Sequence, residues 1–151
     1  MYVEKYMKMA IEEAKIALQL DEVPIGAVIV KDGKVISKSY NQKNATNIVT
    51  KHAEIIAIEE ANRYLGNWRL IDCDIYITLE PCPMCMSAIQ QSRIRRVYYG
   101  IENSDSVNKN IIEMISNNSN TNPMVELMGG FLQEEILLLL TAFFKKKRQK
   151  K

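Results

Sequence analysis

The chain is poor in the residues on which metal and disulfide chemistry depend, with one histidine and three cysteines among its 151 residues. An odd number of cysteines cannot all be paired, and a chain of this length can bury a core without disulfides. No run approaches about 18 consecutive apolar residues, so we expect no membrane-spanning helix. No apolar signal core follows the first five residues either, and these absences together predict a cytoplasmic protein.

Charge is distributed unevenly along a chain whose formal net charge is only +2. Of the 20 Lys and Arg residues, six lie among the last seven positions, from Lys145 to Lys151, so residues 1–144 carry 14 basic and 18 acidic side chains. A basic tail of this kind fits a polyanion such as nucleic acid. It equally fits a solvated helix end whose lysines complement the helix dipole.

The apolar content of 47% and the charged content of 25% are typical of a globular protein. We expect residues 1–151 to form one domain that includes the basic C-terminal segment 131–151. Hydrophobic periodicity and turn residues predict helices at 3–20, 52–65, 83–91 and 131–148. They predict strands at 24–30, 34–40, 74–78, 96–99 and 124–128, a loop at 41–50 and a helical turn at 111–115. This alternation predicts an α/β domain whose central sheet is covered on both faces.

Four residues form a pattern with clear chemical meaning. His52-Ala53-Glu54 opens one predicted helix, and Pro81-Cys82-Pro83-Met84-Cys85 opens another. Cys82 and Cys85 stand at positions i and i+3, so they share one helix face, and a helix N-terminus favours the thiolate that zinc binds. One imidazole and two thiolates leave the fourth tetrahedral position open to water, as in catalytic zinc sites. The pattern H-x-E followed by P-C-x-x-C is typical of zinc nucleobase deaminases.

Glu54 is the predicted proton carrier, because it lies two residues from the His52 ligand and is close to the metal without binding it. Residues two apart do not face the same way in a regular helix, so the pattern works best where the helix begins at His52. The predicted reaction is hydrolytic. Glu54 takes a proton from the activated water and delivers protons to the ring nitrogen and to the departing ammonia.

Each of these residues also has a simpler interpretation. A single histidine is often structural, and a lone C-x-x-C is also typical of redox sites. Cys73 could close a structural zinc site as a fourth ligand, although by itself it is more simply a small buried residue. The order of the single histidine, the neighbouring glutamate and the cysteine pair after a predicted strand favours the catalytic interpretation.

Longer stretches around these motifs resemble the bacterial tRNA-specific adenosine deaminases, which belong to the cytidine/deoxycytidylate deaminase superfamily. The resemblance covers residues 1–100 and about 124–148. Its most specific parts are Asn67-Trp68-Arg69-Leu70 and the basic residues after Phe143-Phe144. The other matching stretches are Val23-Pro24-Ile25-Gly26-Ala27-Val28, His52-Ala53-Glu54-Ile55, Tyr76-Ile77-Thr78-Leu79-Glu80-Pro81-Cys82 and Ser92-Arg93-Ile94 through to Gly100.

The resemblance implies a three-layer α/β/α cytidine-deaminase-like fold with a mixed five-stranded sheet, one Zn²⁺ per subunit and a homodimer. It implies that the enzyme converts the wobble adenosine of a tRNA anticodon to inosine, and that the last helix helps to hold the anticodon stem-loop. By the same resemblance Asn41 contacts the flipped nucleoside. A single-stranded loop makes it easy to splay a base into the pocket.

The chain departs from the family pattern between residues 101 and 123. The family usually has Asp three residues after the glycine that matches Gly100, and here that residue is Asn103. A His-Arg pair expected near 122–123 is replaced by Asn122-Pro123. Asn103 is therefore a candidate substrate contact, and the loss of a carboxylate beside a phosphate backbone suggests an altered or relaxed nucleic-acid preference.

Other functions fit parts of the sequence. Glu80-Pro81-Cys82-Pro83-Met84-Cys85 is also a spelling found in guanine deaminases, so a deaminase of another nucleic acid, or of free guanine, cytosine or nucleosides, is an alternative. A small-molecule enzyme has no need of the basic tail. A catalytically silent RNA-binding subunit is a further interpretation, but such subunits commonly lack the proton-carrying glutamate, and Glu54 is present.

Overall fold

The computed structural model describes residues 1–103, 105–117 and 124–149. In chain order these contain α1 (Glu4–Gln19), β1 (Gly26–Lys31), β2 (Lys34–Tyr40), α2 (Lys43–Thr46), α3 (Ala53–Leu65), β3 (Cys73–Leu79), α4 (Pro83–Gln91), β4 (Arg96–Ile101), α5 (Ser106–Ser116), β5 (Glu126–Met128) and α6 (Gln133–Gln149). Every predicted helix and strand is present, with bounds that differ by a few residues. Within the described residues, none of the helices combines the length and the apolar character needed to cross a bilayer.

The five strands form one mixed sheet, as predicted, and their order is β2-β1-β3-β4-β5. β1 pairs antiparallel with both β2 and β3, whereas β3, β4 and β5 run parallel to one another. The C-terminal ends of β3 and β4 therefore meet at the same edge of the sheet. The chain that leaves β3 at this edge leads directly to Cys82, and the chain that leaves β4 leads to Asn103.

Helices cover both faces of the sheet because successive strand residues point to opposite sides. Ile75 and Ile77 of β3 face a core that also contains buried residues of α3, α4 and α5. Tyr76, between them, faces a second core that contains Met7 of α1 and Ile136 of α6. The result is the predicted three-layer α/β/α arrangement.

The predicted loop at 41–50 contains a one-turn helix, α2, and that part of the prediction is wrong. Four residues are too few to show hydrophobic periodicity. The helix is stabilised by a distant residue instead, because the carboxylate of Glu22 accepts hydrogen bonds from the backbone N–H groups of Asn44 at 3.0 Å and Ala45 at 2.6 Å.

The helical turn predicted at 111–115 is part of a longer helix, α5. Asp105 caps its start by accepting a hydrogen bond from the backbone N–H of Asn108 at 2.8 Å, and Ile112 is buried in the first core. The Asn and Ser residues of this segment obscure its amphipathic pattern in the sequence. The predicted departure at Asn122-Pro123 lies outside the described residues.

Candidate metal centre and substrate pocket

The predicted metal ligands lie where two helices begin. His52 immediately precedes α3 and has an extended backbone (φ −77°, ψ 153°), so the helix begins at this point, as the H-x-E spacing predicts. Cys82 likewise precedes α4, and Pro83 at the first position of that helix suits a helix start. Cys85 lies in the first turn of α4, so both sulfur atoms approach the imidazole of His52.

The distances between the three ligand atoms fit a zinc ion. His52 Nδ1 lies 3.7 Å from Cys82 Sγ and 3.4 Å from Cys85 Sγ, and all three atoms lie within 4.8 Å of one another. Zinc bonds of about 2.0 Å to nitrogen and about 2.3 Å to sulfur, at tetrahedral angles, put the two ligand atoms about 3.5 Å apart. The two distances fall on either side of that value.

Cys73 does not belong to this cluster. It begins β3, whereas Cys82 follows the end of that strand, and seven extended residues span about 20 Å. The Cys73 thiol is buried, lies 3.6 Å from the carbonyl oxygen of Ile71, and has its pKa raised to about 11 by burial. The distance excludes Cys73 as a fourth ligand of the same metal ion.

The two cysteine thiols of the cluster differ in pKa. The Cys85 thiol donates to Cys82 Sγ, which lowers the pKa of Cys82 to about 4 and raises that of Cys85. The hydrogen bond with Cys82 also raises the pKa of His52. Cys82 is therefore a thiolate at neutral pH, the form that binds zinc, whereas zinc binding to Cys85 must displace a proton.

Glu54 lies in the first turn of α3, beside the ligands, with 3% of its surface exposed. Burial raises the pKa of its carboxyl group to about 7. Its Oε1 atom is buried and accepts no hydrogen bond from any residue that the structure describes. A carboxyl group with a pKa near neutrality can both take up and release a proton, which is what general acid–base catalysis requires.

A cavity of about 320 Å³ adjoins His52. Its lining residues are Val23, Ile25, Asn41, Lys43, His52, Leu79, Asn103, Leu140 and Phe144. Asn41 is 5% exposed, and its Oδ1 atom also has no hydrogen-bond donor among the described residues. A larger cavity, of about 580 Å³, is lined by none of the predicted site residues, so we assign the substrate pocket to the smaller one.

Both predicted substrate contacts, Asn41 and Asn103, line this pocket. Lys43, Leu140 and Phe144 also line it, and the sequence did not predict them as site residues. Phe144 has one signal in the sequence. Of two adjacent aromatic residues on a helix only one can face the core, so the pair Phe143-Phe144 leaves one ring for another surface. Phe143 is the buried member, and Phe144 is 51% exposed.

Asn103, which lines the pocket, belongs to a hydrogen-bonded group with Glu80, Glu102 and Lys109, and we call these four residues the Asn103 wall. The backbone N–H of Asn103 donates to Glu80 Oε1 at 3.2 Å, and Lys109 Nζ donates to Glu80 Oε2 at 2.7 Å. Lys109 Nζ also lies 3.3 Å from Glu102 Oε1. The side chain of Glu80 is fully buried two residues before Cys82, so this wall is joined to the metal-binding segment.

The basic segment continues the last helix and lies next to the pocket. α6 extends through residues 145–148, which are all basic. Lys146 pairs with Asp21 at 2.7 Å, which brings this end of α6 against the body of the protein. Leu140 and Phe144 of the same helix line the pocket, so the basic residues follow directly after the part of α6 that reaches it.

Comparison with known proteins agrees with this geometry. A family model of MafB19-like deaminases matches residues 1–136. The chain is 41% identical over 127 residues to a tRNA-specific adenosine deaminase of Streptococcus pyogenes serotype M18, over 84% of this chain and 80% of that protein. A structure solved in a study of A-to-I editing by tRNA:A34 deaminases matches with a TM-score of 0.82 and 40% identity, over 90% of this chain and 99% of that one. The chain belongs to the tRNA-specific adenosine deaminase family.

The comparison confirms the predicted family and the predicted fold of this deaminase. A guanine deaminase of Bacillus subtilis is also similar, with a TM-score of 0.66 and 30% identity, over 98% of this chain and 95% of that one. Both its TM-score and its identity are lower than those of the tRNA:A34 deaminase structure. In sequence and in fold, this deaminase is therefore more similar to the tRNA:A34 enzyme than to this guanine deaminase.

Proposed function

We propose that this deaminase converts adenosine to inosine at the wobble position of a tRNA anticodon, with one Zn²⁺ per subunit held by His52, Cys82 and Cys85. The observation that carries the proposal is the cluster of three ligand atoms beside the buried carboxyl group of Glu54. The tRNA substrate is supported by the 40% identity to the tRNA:A34 deaminase structure and by the basic end of α6 at the pocket.

Bound zinc supplies a nucleophile at neutral pH by lowering the pKa of a water molecule. Glu54 takes a proton from the attacking water and passes it to N1 of adenine while the oxygen adds to C6. It then moves the remaining proton of that oxygen to the amino group, the C6–N bond breaks, and ammonia leaves. Adenosine and water thus give inosine and ammonia, and a pKa near 7 lets Glu54 act in both directions.

Asn41 and Asn103 are the proposed substrate contacts. The Oδ1 atom of Asn41, which is buried without a donor among the described residues, can accept a hydrogen bond from the splayed nucleoside. Lys43 and the basic end of α6 offer positive charge for the phosphates on either side of the target nucleotide. Splaying the base costs least in a single-stranded loop, which favours an anticodon loop over a duplex.

We also propose that the protein acts as a cytoplasmic homodimer, and that residues 1–151 form one deaminase domain. A single sheet that contributes to both cores supports the one-domain organisation. The exposed apolar side chains of Ile48 and Val49 support a protein interface near the site. The cytoplasmic location follows from the proposed tRNA substrate.

The decisive experiment incubates zinc-loaded protein with an arginine-tRNA anticodon stem-loop that carries adenosine at the wobble position. We expect inosine and ammonia to form. The Glu54→Ala variant should bind one zinc ion per chain and form no inosine, since it keeps all three ligands and lacks the proton carrier.

Parallel reactions with free guanine, cytosine and their nucleosides separate the alternatives. Turnover of a free base without turnover of the stem-loop would replace the proposal by a small-molecule deaminase, a possibility favoured by the similarity to the B. subtilis guanine deaminase. Protein that binds zinc and RNA but releases no ammonia from any of these substrates would be a silent RNA-binding subunit.

A further inference from the structure

Glu22 is a buried acidic residue that the proposed chemistry does not use. It lies in the turn between α1 and β1, with 1% of its surface exposed. Burying a carboxylate is costly unless hydrogen bonds satisfy it. Both of its oxygens accept backbone N–H groups, Oε1 from Asn44 at 3.0 Å and Oε2 from Ala45 at 2.6 Å.

The two N–H groups belong to the first turn of α2, which lies between Asn41 and His52. The residue before α2, Gln42, makes no side-chain capping bond, so Glu22 supplies the capping acceptor from 20 or more positions away along the chain. Residues 43–50 are all exposed. The base of this segment is closed by a backbone bond from Gln42 to Lys51 at 3.0 Å, and Glu22 holds its first turn.

This exposed segment reaches the substrate pocket through Lys43, its first residue. Asn41 and Lys43 both line the cavity, and Asn41 is anchored at its own backbone N–H by the carbonyl oxygen of Ile25 at 3.1 Å. Lys43, by contrast, lies in the turn that Glu22 caps. We propose that Glu22 is a positioning residue that fixes the Lys43 side of the pocket in its binding conformation, and so sets the affinity for the RNA substrate without touching it.

The proposal rests on the proposed function for the identity of the substrate. An exposed segment that is already ordered costs nothing further to order when RNA binds, whereas a loosened one must be ordered at that moment. Fixing the backbone of one residue lowers affinity by roughly five- to thirtyfold. Loss of the Glu22 clamp should therefore raise KM for RNA while the metal cluster and kcat are little changed.

The test compares Glu22→Gln, which is isosteric but has only one acceptor oxygen, with wild type. The matched control is Glu12→Gln, at an exposed position of α1 where the carboxylate pairs with Lys15 at 2.9 Å. Amide hydrogen exchange is measured at Asn44, Ala45 and along α3, together with zinc content and steady-state kinetics on the wobble-adenosine stem-loop. We expect exchange at Asn44 and Ala45 to become at least tenfold faster, KM to rise about tenfold, and kcat and zinc content to stay within twofold.

Several results would overturn the proposal. Unchanged exchange at Asn44 and Ala45, or faster exchange there with unchanged KM, would show that the clamp does not set affinity. Equal loss of protection along α3 would assign Glu22 to overall stability instead. If Glu22→Gln does not fold, Glu22→Asp, which keeps the charge and shortens the side chain by one methylene, is measured in the same way.

These measurements also separate the positioning role from the proposed function. Hydrogen exchange and zinc content need no turnover, so they report on the clamp even if wild type fails to deaminate the stem-loop. In that case the proposed RNA substrate is wrong, and the expected effect of Glu22 on RNA affinity no longer applies. Activity of wild type on the stem-loop with no change of KM in Glu22→Gln rejects the positioning role alone.

Discussion

The metal cluster and the Asn103 wall each contribute one residue, His52 and Asn103, to the lining of the same pocket. They differ in how far apart in the sequence their interacting residues lie. His52 and Glu54 are two residues apart, Cys82 and Cys85 are three apart, and each pair stands at a helix start. The Asn103 wall instead depends on Lys109 of α5 reaching Glu80, 29 positions away. Local helix geometry therefore places the two members of each pair, although the fold must still bring His52 to Cys82, 30 positions away. In the Asn103 wall, by contrast, both contacts that reach Glu80 join residues more than 20 positions apart.

Removal of a metal ligand should give the largest effect. In Cys85→Ser a hydroxyl group, which stays protonated at neutral pH, replaces a thiol that can lose its proton to zinc. We expect zinc affinity to fall by more than the ten- to hundredfold that loss of a supporting residue costs, and inosine formation to fall below detection. Zinc per chain, from elemental analysis, and inosine release are the measurements.

Cys73→Ala is the matched control for this variant, because it removes the buried thiol that lies at the far end of β3. It should keep one zinc ion per chain and full activity, and it should lower the free energy of unfolding by about 1 kcal/mol. Full zinc occupancy in Cys85→Ser, or loss of zinc in Cys73→Ala, would contradict the three-ligand cluster.

The same difference between local and distant contacts explains which residues of the site can be predicted from the sequence and which cannot. The ligands and Glu54 could be named individually because each pair has a short spacing at a helix start and the two pairs together match a deaminase motif, although 30 positions separate His52 from Cys82. Leu140 and Phe144 reach the pocket from the other end of the chain, through the packing of α6 on the second core. No spacing in the sequence indicates that approach.

Two local predictions, a loop at 41–50 and a single helical turn at 111–115, differ from the structure for physical reasons. The turn α2 is stabilised by Glu22, a residue outside its own segment, so its composition of polar residues indicates a loop. In α5, Asp105 and Ile112 provide a cap and a buried face, but polar neighbours reduce the contrast between the two faces. Short or polar helices can therefore be predicted only when their long-range contacts are known.

Loss of the cation at Lys109 should give an intermediate effect, confined to the Asn103 wall. Lys109→Met removes the 2.7 Å bond to the buried carboxylate of Glu80, so we expect the free energy of unfolding to fall by about 1–3 kcal/mol. KM for the stem-loop should rise about tenfold, because the Asn103 segment loses an anchor, and kcat should change less than threefold. Urea denaturation and steady-state kinetics measure the two effects.

Two control variants are compared with Lys109→Met. Lys109→Arg keeps a positive charge and should restore most of the stability and affinity. Lys8→Met breaks an exposed pair, with Glu4 at 3.6 Å, and should change stability by less than about 0.5 kcal/mol. A fall in kcat for Lys109→Met that is as large as the rise in KM would mean that the wall and the metal cluster are not independent.

The smallest expected effect concerns the choice between RNA and DNA. Asn103 is exposed at the pocket and carries no charge, so it repels no phosphate and accepts only weakly from a 2′-hydroxyl group. In Asn103→Asp the new carboxylate repels the backbone of both substrates, but a ribose 2′-hydroxyl can donate to it and a deoxyribose cannot. A screened unit charge at several ångströms is worth about 0.5–1 kcal/mol, which corresponds to a two- to fivefold change.

Wild type should therefore deaminate one loop sequence as RNA and as DNA with values of kcat/KM within about tenfold of each other. Asn103→Asp should raise the RNA-to-DNA ratio by two- to fivefold, whereas Asn110→Asp, an equal charge change at an exposed position of α5, should leave the ratio unchanged. A strong preference of wild type for RNA alone would rule out a relaxed choice of nucleic acid. Selectivity would then come from parts of the pocket other than Asn103, since that side chain offers the sugar no charged acceptor.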